Sequence, residues 1–156
     1  PFSWATQFFL GFSLSVAPIG AWIAVTGTLD YEILALGVAV LLWVAGFDTI
    51  YATNDANFDR QFGVFSIPQR FGIARALWIA RFLHLIAFLA LLSVGQAFDL
   101  GLVYYAGVTC IGLLLIYEHR LVKPDDLSKA GVAFMNLNAT ISVAYFVFTA
   151  LDILVV

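Results

Sequence analysis

"YEILALGVAVLLWVAGFDTIYATNDANFDRQFG", residues 31–63, joins a long apolar run to an acidic one. Between Glu32 and Asp48 it carries no charge, and then it places Asp48, Asp55 and Asp59 within twelve positions. No proline or glycine interrupts "DTIYATNDANFDRQF", so a helix begun in the apolar half can run on into the polar half. On a helix advancing about 100° per residue, Asp48, Tyr51, Asp55 and Asp59 share an arc of about 80°. The reading is an apolar segment whose end carries a stripe of three carboxylates and a phenol.

The rest of the chain explains the apolar half. Hydrophobic residues make up 63% of the 156 and charged residues 11%, a membrane composition. Five apolar stretches recur, at about 4–25, 31–47, 76–98, 100–117 and 131–156. Each approaches the roughly 17 to 25 residues that a helix needs to cross a bilayer. The expectation is an all-α transmembrane protein with five spanning helices, the second the shortest, in the lipid bilayer. A chain of net charge −3 with seven basic residues offers no basic face for a nucleic acid, and no such partner is expected.

Those seven basic residues lie in or beside two connections. Arg60, Arg70, Arg75 and Arg81 surround the one between the second and third stretches; Arg120, Lys123 and Lys129 mark the one between the fourth and fifth. "GTLDYE" (27–32) and "GQAFDLG" (95–101) carry none. The positive-inside rule therefore puts both basic connections, and the aspartate stripe with them, in the cytoplasm, and the C-terminus on the other side. Cys110, the one cysteine, sits in an apolar run and reads as a small packed hydrophobe. The first stretch lacks a basic leader and a small-residue cleavage site, so it reads as a span and not a signal peptide. The sequence opens on Pro1 and not on Met, which suggests a piece of a longer chain.

Local signals subdivide the connections. Pro18 is expected to kink or break the first helix. Gly11, Ser13, Ser15, Gly107 and Gly112 are small residues of the kind that let membrane helices approach closely. "GVFSIPQRFG" (63–72), bounded by glycines and holding Pro68, reads as a loop or broken cap. "DDLS" after Pro124 reads as the start of a helix leading to the last span.

Three of the ten acidic residues fall in the stripe, and all three are aspartates, whose oxygens stay near the backbone. A solvated acidic face is one account. The other is a hard-cation site, since magnesium takes one or two protein carboxylates and completes its shell with water and phosphate oxygens. That account predicts a phosphorylated substrate, with Arg60 and Arg70 placed to hold phosphate oxygens or, failing that, anionic lipid. A cation-coupled transporter is a third account, although it would favour acids at the midplane of the bilayer over its edge.

"DTIYATNDANFDRQFGVFSIPQRFG" followed by an apolar span resembles the second aspartate-rich motif of the UbiA-type membrane prenyltransferases, in their 4-hydroxybenzoate polyprenyltransferase branch. "YEHRLVKPDDLSKAGVAFMNLNATISV" resembles the end of that branch, and "FFLGFSLSVAPIGAWIAVTG" its fifth span. The resemblance implies a nine-helix bundle around a central cavity, of which residues 1–156 would be the C-terminal portion, spans five to nine, in the inner (plasma) membrane. It implies Mg2+ held by Asp55 and Asp59, with Asp48 as a further ligand or support, against the diphosphate of a polyprenyl donor. It implies transfer to an aromatic acceptor, 4-hydroxybenzoate before naphthoate, homogentisate, haem or glycerol phosphate, in ubiquinone or menaquinone biosynthesis. The family's first aspartate-rich motif is missing, so these residues alone are expected to be inactive.

Other residues carry weaker expectations. Tyr51 shares the stripe and can hydrogen-bond a carboxylate or phosphate, or serve only as an interfacial aromatic. Trp43, Phe47, Phe82 and Phe134 either offer π faces to an allylic cation or, as most aromatics of the chain must, simply pack or face lipid. Arg81 and His84 lie just inside the third span, where His84 reads first as a bundle residue with satisfied hydrogen bonds. Asn136 and Asn138, two positions apart, point to roughly opposite faces and cannot serve one site. The resemblance implies that Asn136 lines the cavity, with an interhelical hydrogen bond as the equal alternative.

Overall fold

The computed structural model describes residues 3–155. Among the described residues five helices are long and apolar enough to cross a membrane: Thr6–Thr26, Tyr31–Phe62, Ile73–Ala97, Leu102–Leu121 and Ala130–Val155. Two of them are composite. The second consists of α2 (Tyr31–Ala52), a 3-10 turn (Thr53–Asp55) and α3 (Ala56–Phe62); the fifth consists of α7 (Ala130–Val132), a π-helical turn (Ala133–Leu137) and α8 (Asn138–Val155). The others are α1 (Thr6–Thr26), α5 (Ile73–Ala97) and α6 (Leu102–Leu121), and the short α4 (Ile67–Phe71) precedes α5. The second span is not the shortest, because the polar residues after Phe47 extend the helix instead of ending it.

Large apolar side chains stand on the outside. Phe9 is 65% exposed, Trp78 68% and Phe146 72%, an arrangement that water would penalise and lipid tails do not. Between helices the contacts run through small residues. A Cβ on Gly11 would strike the Leu41 carbonyl of α2, and one on Gly107 would strike Phe148 of α8. Gly46 of α2 leaves room for the His84 imidazole of α5. Without hydrophobic driving force inside a membrane, such close backbone approach is what holds helices together. α1 passes through Pro18 without a break.

The two ends of the bundle differ. At one end Ile50, Leu77, Val122 and Ala130 pack into a common cluster, so both basic connections lie together. At the other, Trp22 of α1 stacks on Phe98 after α5 at 5.2 Å. Here Asp152 of α8, 3% exposed, caps α6 from across the bundle, accepting from the Gly101 amide at 2.6 Å and the Tyr104 amide at 3.0 Å. That carboxylate satisfies two of the amides a helix start leaves unpaired.

The connections depart from expectation in two places. Within 63–72, Ser66 caps α4 by accepting from the Gln69 amide, and Pro68 occupies its first turn, where a missing amide costs nothing. "DDLS" does not start a helix. Lys123 and Asp126 exchange backbone hydrogen bonds of 3.1 Å, and Asp126 Oδ1 accepts from the amide and hydroxyl of Ser128. These local bonds compete with the helical ladder, delay the helix to Ala130, and hold the Asp126 carboxyl below the usual carboxylate range.

Candidate functional site

The aspartate stripe sits at the end of the bundle where the basic connections meet. Asp48 is half-buried on α2, Asp55 is exposed at the close of the 3-10 turn, and Asp59 is buried on α3. The turn alters the stripe. Three residues advancing about 120° instead of about 100° add roughly 60° of rotation, which swings Asp59 away from the Asp48 face. There its Oδ2 accepts the Ser66 hydroxyl at 2.6 Å, which ties α3 to α4. Among the described residues no three Asp, Glu, His or Cys side chains converge to hold a metal. Asp55 and Asp48 supply hard oxygens, one or two per ion, which fits a magnesium shared with phosphate oxygens and not one caged by protein alone. Arg60, on α3, and Arg70, on α4, are both exposed.

From the stripe an aromatic ladder leads into the bundle. Tyr51 stacks on Phe134 at 4.4 Å, Phe134 meets Phe47 at 5.5 Å, and Phe47 meets Trp43 at 5.3 Å. Phe82, 62% exposed on α5, is not part of it. The ladder ends at an apolar cavity of about 390 Å³ between α1, α2 and α8, walled by Leu14, Val40, Trp43, Phe47, Asn138 and Ser142. A path of aromatic rings thus runs from Tyr51, on the stripe, to an apolar pocket.

Behind the wall lies a polar chain that the sequence does not announce. Trp43 Nε1 donates to Asn138 Oδ1 at 3.0 Å, and Asn138 Nδ2 donates to Glu118 Oε1 at 3.3 Å. Glu118 is wholly buried, and its Oε2 lies 3.5 Å from His84 Nδ1. His84 Nδ1 is also 3.0 Å from His119 Nε2, and its Nε2 is 3.2 Å from the Trp43 carbonyl. A carbonyl only accepts, so His84 Nε2 carries the hydrogen there. Asn138 follows the π-helical turn, and the two hydrogens of its Nδ2 are shared between Glu118 and the carbonyls of Ala133 and Phe134, at 3.2 and 3.1 Å. Asn136 is exposed, and the asparagine on the cavity wall is Asn138. The two do lie on different faces; the extra residue of the turn decides which one faces inward.

Comparison with known proteins agrees with this architecture. Residues 1–140 match the model of the UbiA prenyltransferase family. The chain belongs to that family. Among curated members, the 4-hydroxybenzoate octaprenyltransferase of Marinobacter nauticus is 34% identical over 148 residues, covering 94% of this chain and 49% of the relative. The enzyme of the same name from Vibrio parahaemolyticus is 33% identical over 132 residues, 85% of this chain and 46% of the relative. The apo structure of a UbiA homologue from Aeropyrum pernix K1 superposes with a TM-score of 0.84 at 28% identity, over 98% of this chain and 57% of that one. The chain spans about half the length of the curated relatives it matches. As a UbiA-family chain it is an integral membrane protein, and its five spans are in keeping with a share of a nine-helix bundle.

Proposed function

We propose that the protein containing this chain transfers a polyprenyl group from a polyprenyl diphosphate to 4-hydroxybenzoate in the inner membrane, and that residues 1–156 form the C-terminal portion of its one catalytic domain. The observation that carries the reading is the aromatic ladder from Tyr51 to the apolar cavity, in a chain 34% identical to a 4-hydroxybenzoate octaprenyltransferase. An exposed acid cluster alone would fit a phosphate-bearing headgroup; a long isoprenoid tail needs the greasy, π-faced path beside it.

Asp55 would hold Mg2+ with Asp48 or Asp59, and the ion would supply Lewis-acid neutralisation of the diphosphate as it leaves. Arg60 and Arg70 bind phosphate oxygens through charge-assisted hydrogen bonds. The Tyr51 phenol donates to the same oxygens from the end of the ladder. Phe134, Phe47 and Trp43 present π faces to the allylic carbon as its bond to oxygen lengthens, and the apolar cavity keeps water from capturing it. The acceptor's ring carbon beside its phenol oxygen attacks that carbon, and the ring then loses a proton. Asn136, exposed at the π-helical turn, contributes to binding from the same end. The aspartate-rich connection faces the cytoplasm, where soluble acceptor is at hand.

The test uses the full-length protein in vesicles with polyprenyl diphosphate, magnesium and each candidate acceptor, with products identified by mass. 4-Hydroxybenzoate should be prenylated and naphthoate or homogentisate should not; residues 1–156 alone should form no product. Asp55→Ala should lower kcat/KM at least about a hundredfold, the range lost with a principal electrostatic group. Wild-type rates in Asp55→Ala would remove that carboxylate from the site.

A further inference from the structure

A second cavity, of about 500 Å³, opens between α5 and α6 and shares no residue with the aromatic one. Its walls are graded. Arg81, Arg120 and His119 stand at the end near the basic connections, His84 lies at the back, and Leu85 and Ile116 continue along the spans. Arg81 is eight residues into α5, about 12 Å by helical rise. Its guanidinium sits 4.7 Å over the Trp78 indole, an exposed tryptophan of the kind that marks headgroup level. Among the described residues the carboxylate found within 4 Å of a basic side chain is Glu118, beside His84, and neither arginine has a carboxylate within reach. Glu118 is turned inward to Asn138, so no acid faces the opening. Cations at headgroup depth above an apolar floor complement an amphiphile with an anionic head.

We propose that the α5–α6 crevice binds an anionic phospholipid, its phosphate held by Arg81 and Arg120 and an acyl chain lying along Leu85 and Ile116. Charge complementarity selects the head: a zwitterionic lipid would bring a choline or ammonium group against two unpaired guanidiniums. The site is independent of prenyl transfer, and its test needs no turnover.

The full-length protein in detergent would be titrated with equal amounts of phosphatidylglycerol and phosphatidylcholine of the same acyl chains, and bound lipid read by native mass spectrometry. One phosphatidylglycerol should be retained in preference to phosphatidylcholine. Arg81→Ala with Arg120→Ala should reduce that retention by roughly tenfold to thirtyfold, from the worth of two basic side chains at an anionic headgroup. Ile116→Trp, which fills the floor and leaves both guanidiniums intact, should also displace the lipid. Arg75→Ala with Lys129→Ala, which removes the same charge outside the crevice, should leave retention unchanged. Equal retention of the two lipids, or equal losses from the two double variants, would overturn the site in favour of general attraction to a basic surface.

Discussion

Asn138 is the residue on which most of the buried chemistry turns. Its amide joins Trp43, Glu118 and the carbonyls of Ala133 and Phe134. Asn138→Leu would keep the volume and strand all of these partners, and an unsatisfied buried polar group costs about 1 to 3 kcal/mol. We expect a loss of at least about 2 kcal/mol in reversible unfolding from detergent, with altered fluorescence from Trp43. A change below a few tenths would mean that water replaces the amide without penalty. At the same scale, Asp55 and Asp59 look alike in the sequence and differ in the fold. Asp55 is exposed, whereas Asp59 Oδ2 holds Ser66. Spacing alone shows both as members of one stripe, because helical periodicity is blind to a 3-10 turn that lasts three residues.

Among the elements, α6 depends on α8 for its beginning. Gly101 and Tyr104 donate to Asp152, a bond spanning 51 positions in the first case. Asp152→Ala should destabilise the protein by about 1 to 3 kcal/mol, the worth of charge-assisted capping at a buried site. Hydrogen exchange should speed first at the amides of 101–104; protection unchanged there would show that another group takes over the cap. The composite helices carry the complementary lesson. The continuation past Asp48 was legible because nothing in 48–62 breaks a helix. The π-helical turn at Ala133–Leu137 was not, since "AFMNL" contains no residue that demands it. Asn138, which follows it, is bonded to Glu118 and Trp43 on other helices, partners that the local sequence does not show.

For the whole molecule, the clustering of both basic connections at one end turns the charge bias into a topology that can be checked residue by residue. In inverted and right-side-out vesicles carrying the full-length protein with Cys110→Ala, Asn57→Cys and Asp125→Cys should react with a membrane-impermeant thiol reagent from the cytoplasmic side. Thr28→Cys and Asp99→Cys should react from the opposite side. Labelling of Asn57→Cys and Thr28→Cys from one side would contradict five alternating spans. The exposed Phe9, Trp78 and Phe146 belong to this scale too, as surfaces that meet lipid or the remainder of a larger bundle.

Five apolar spans, a basic end, and the gathering of acids, a phenol and arginines at that end can all be read along the chain. These follow from hydropathy, charge placement and the period of a helix, all of which act locally along the chain. Tertiary structure alone decided that Asp59 turns to Ser66, that Asn138 and not Asn136 reaches the cavity wall, and that Glu118 and His84 are buried behind it. Each of those outcomes depends on a partner far away in the chain, and a hydrogen bond across a bundle leaves no periodic trace in either of the segments it joins.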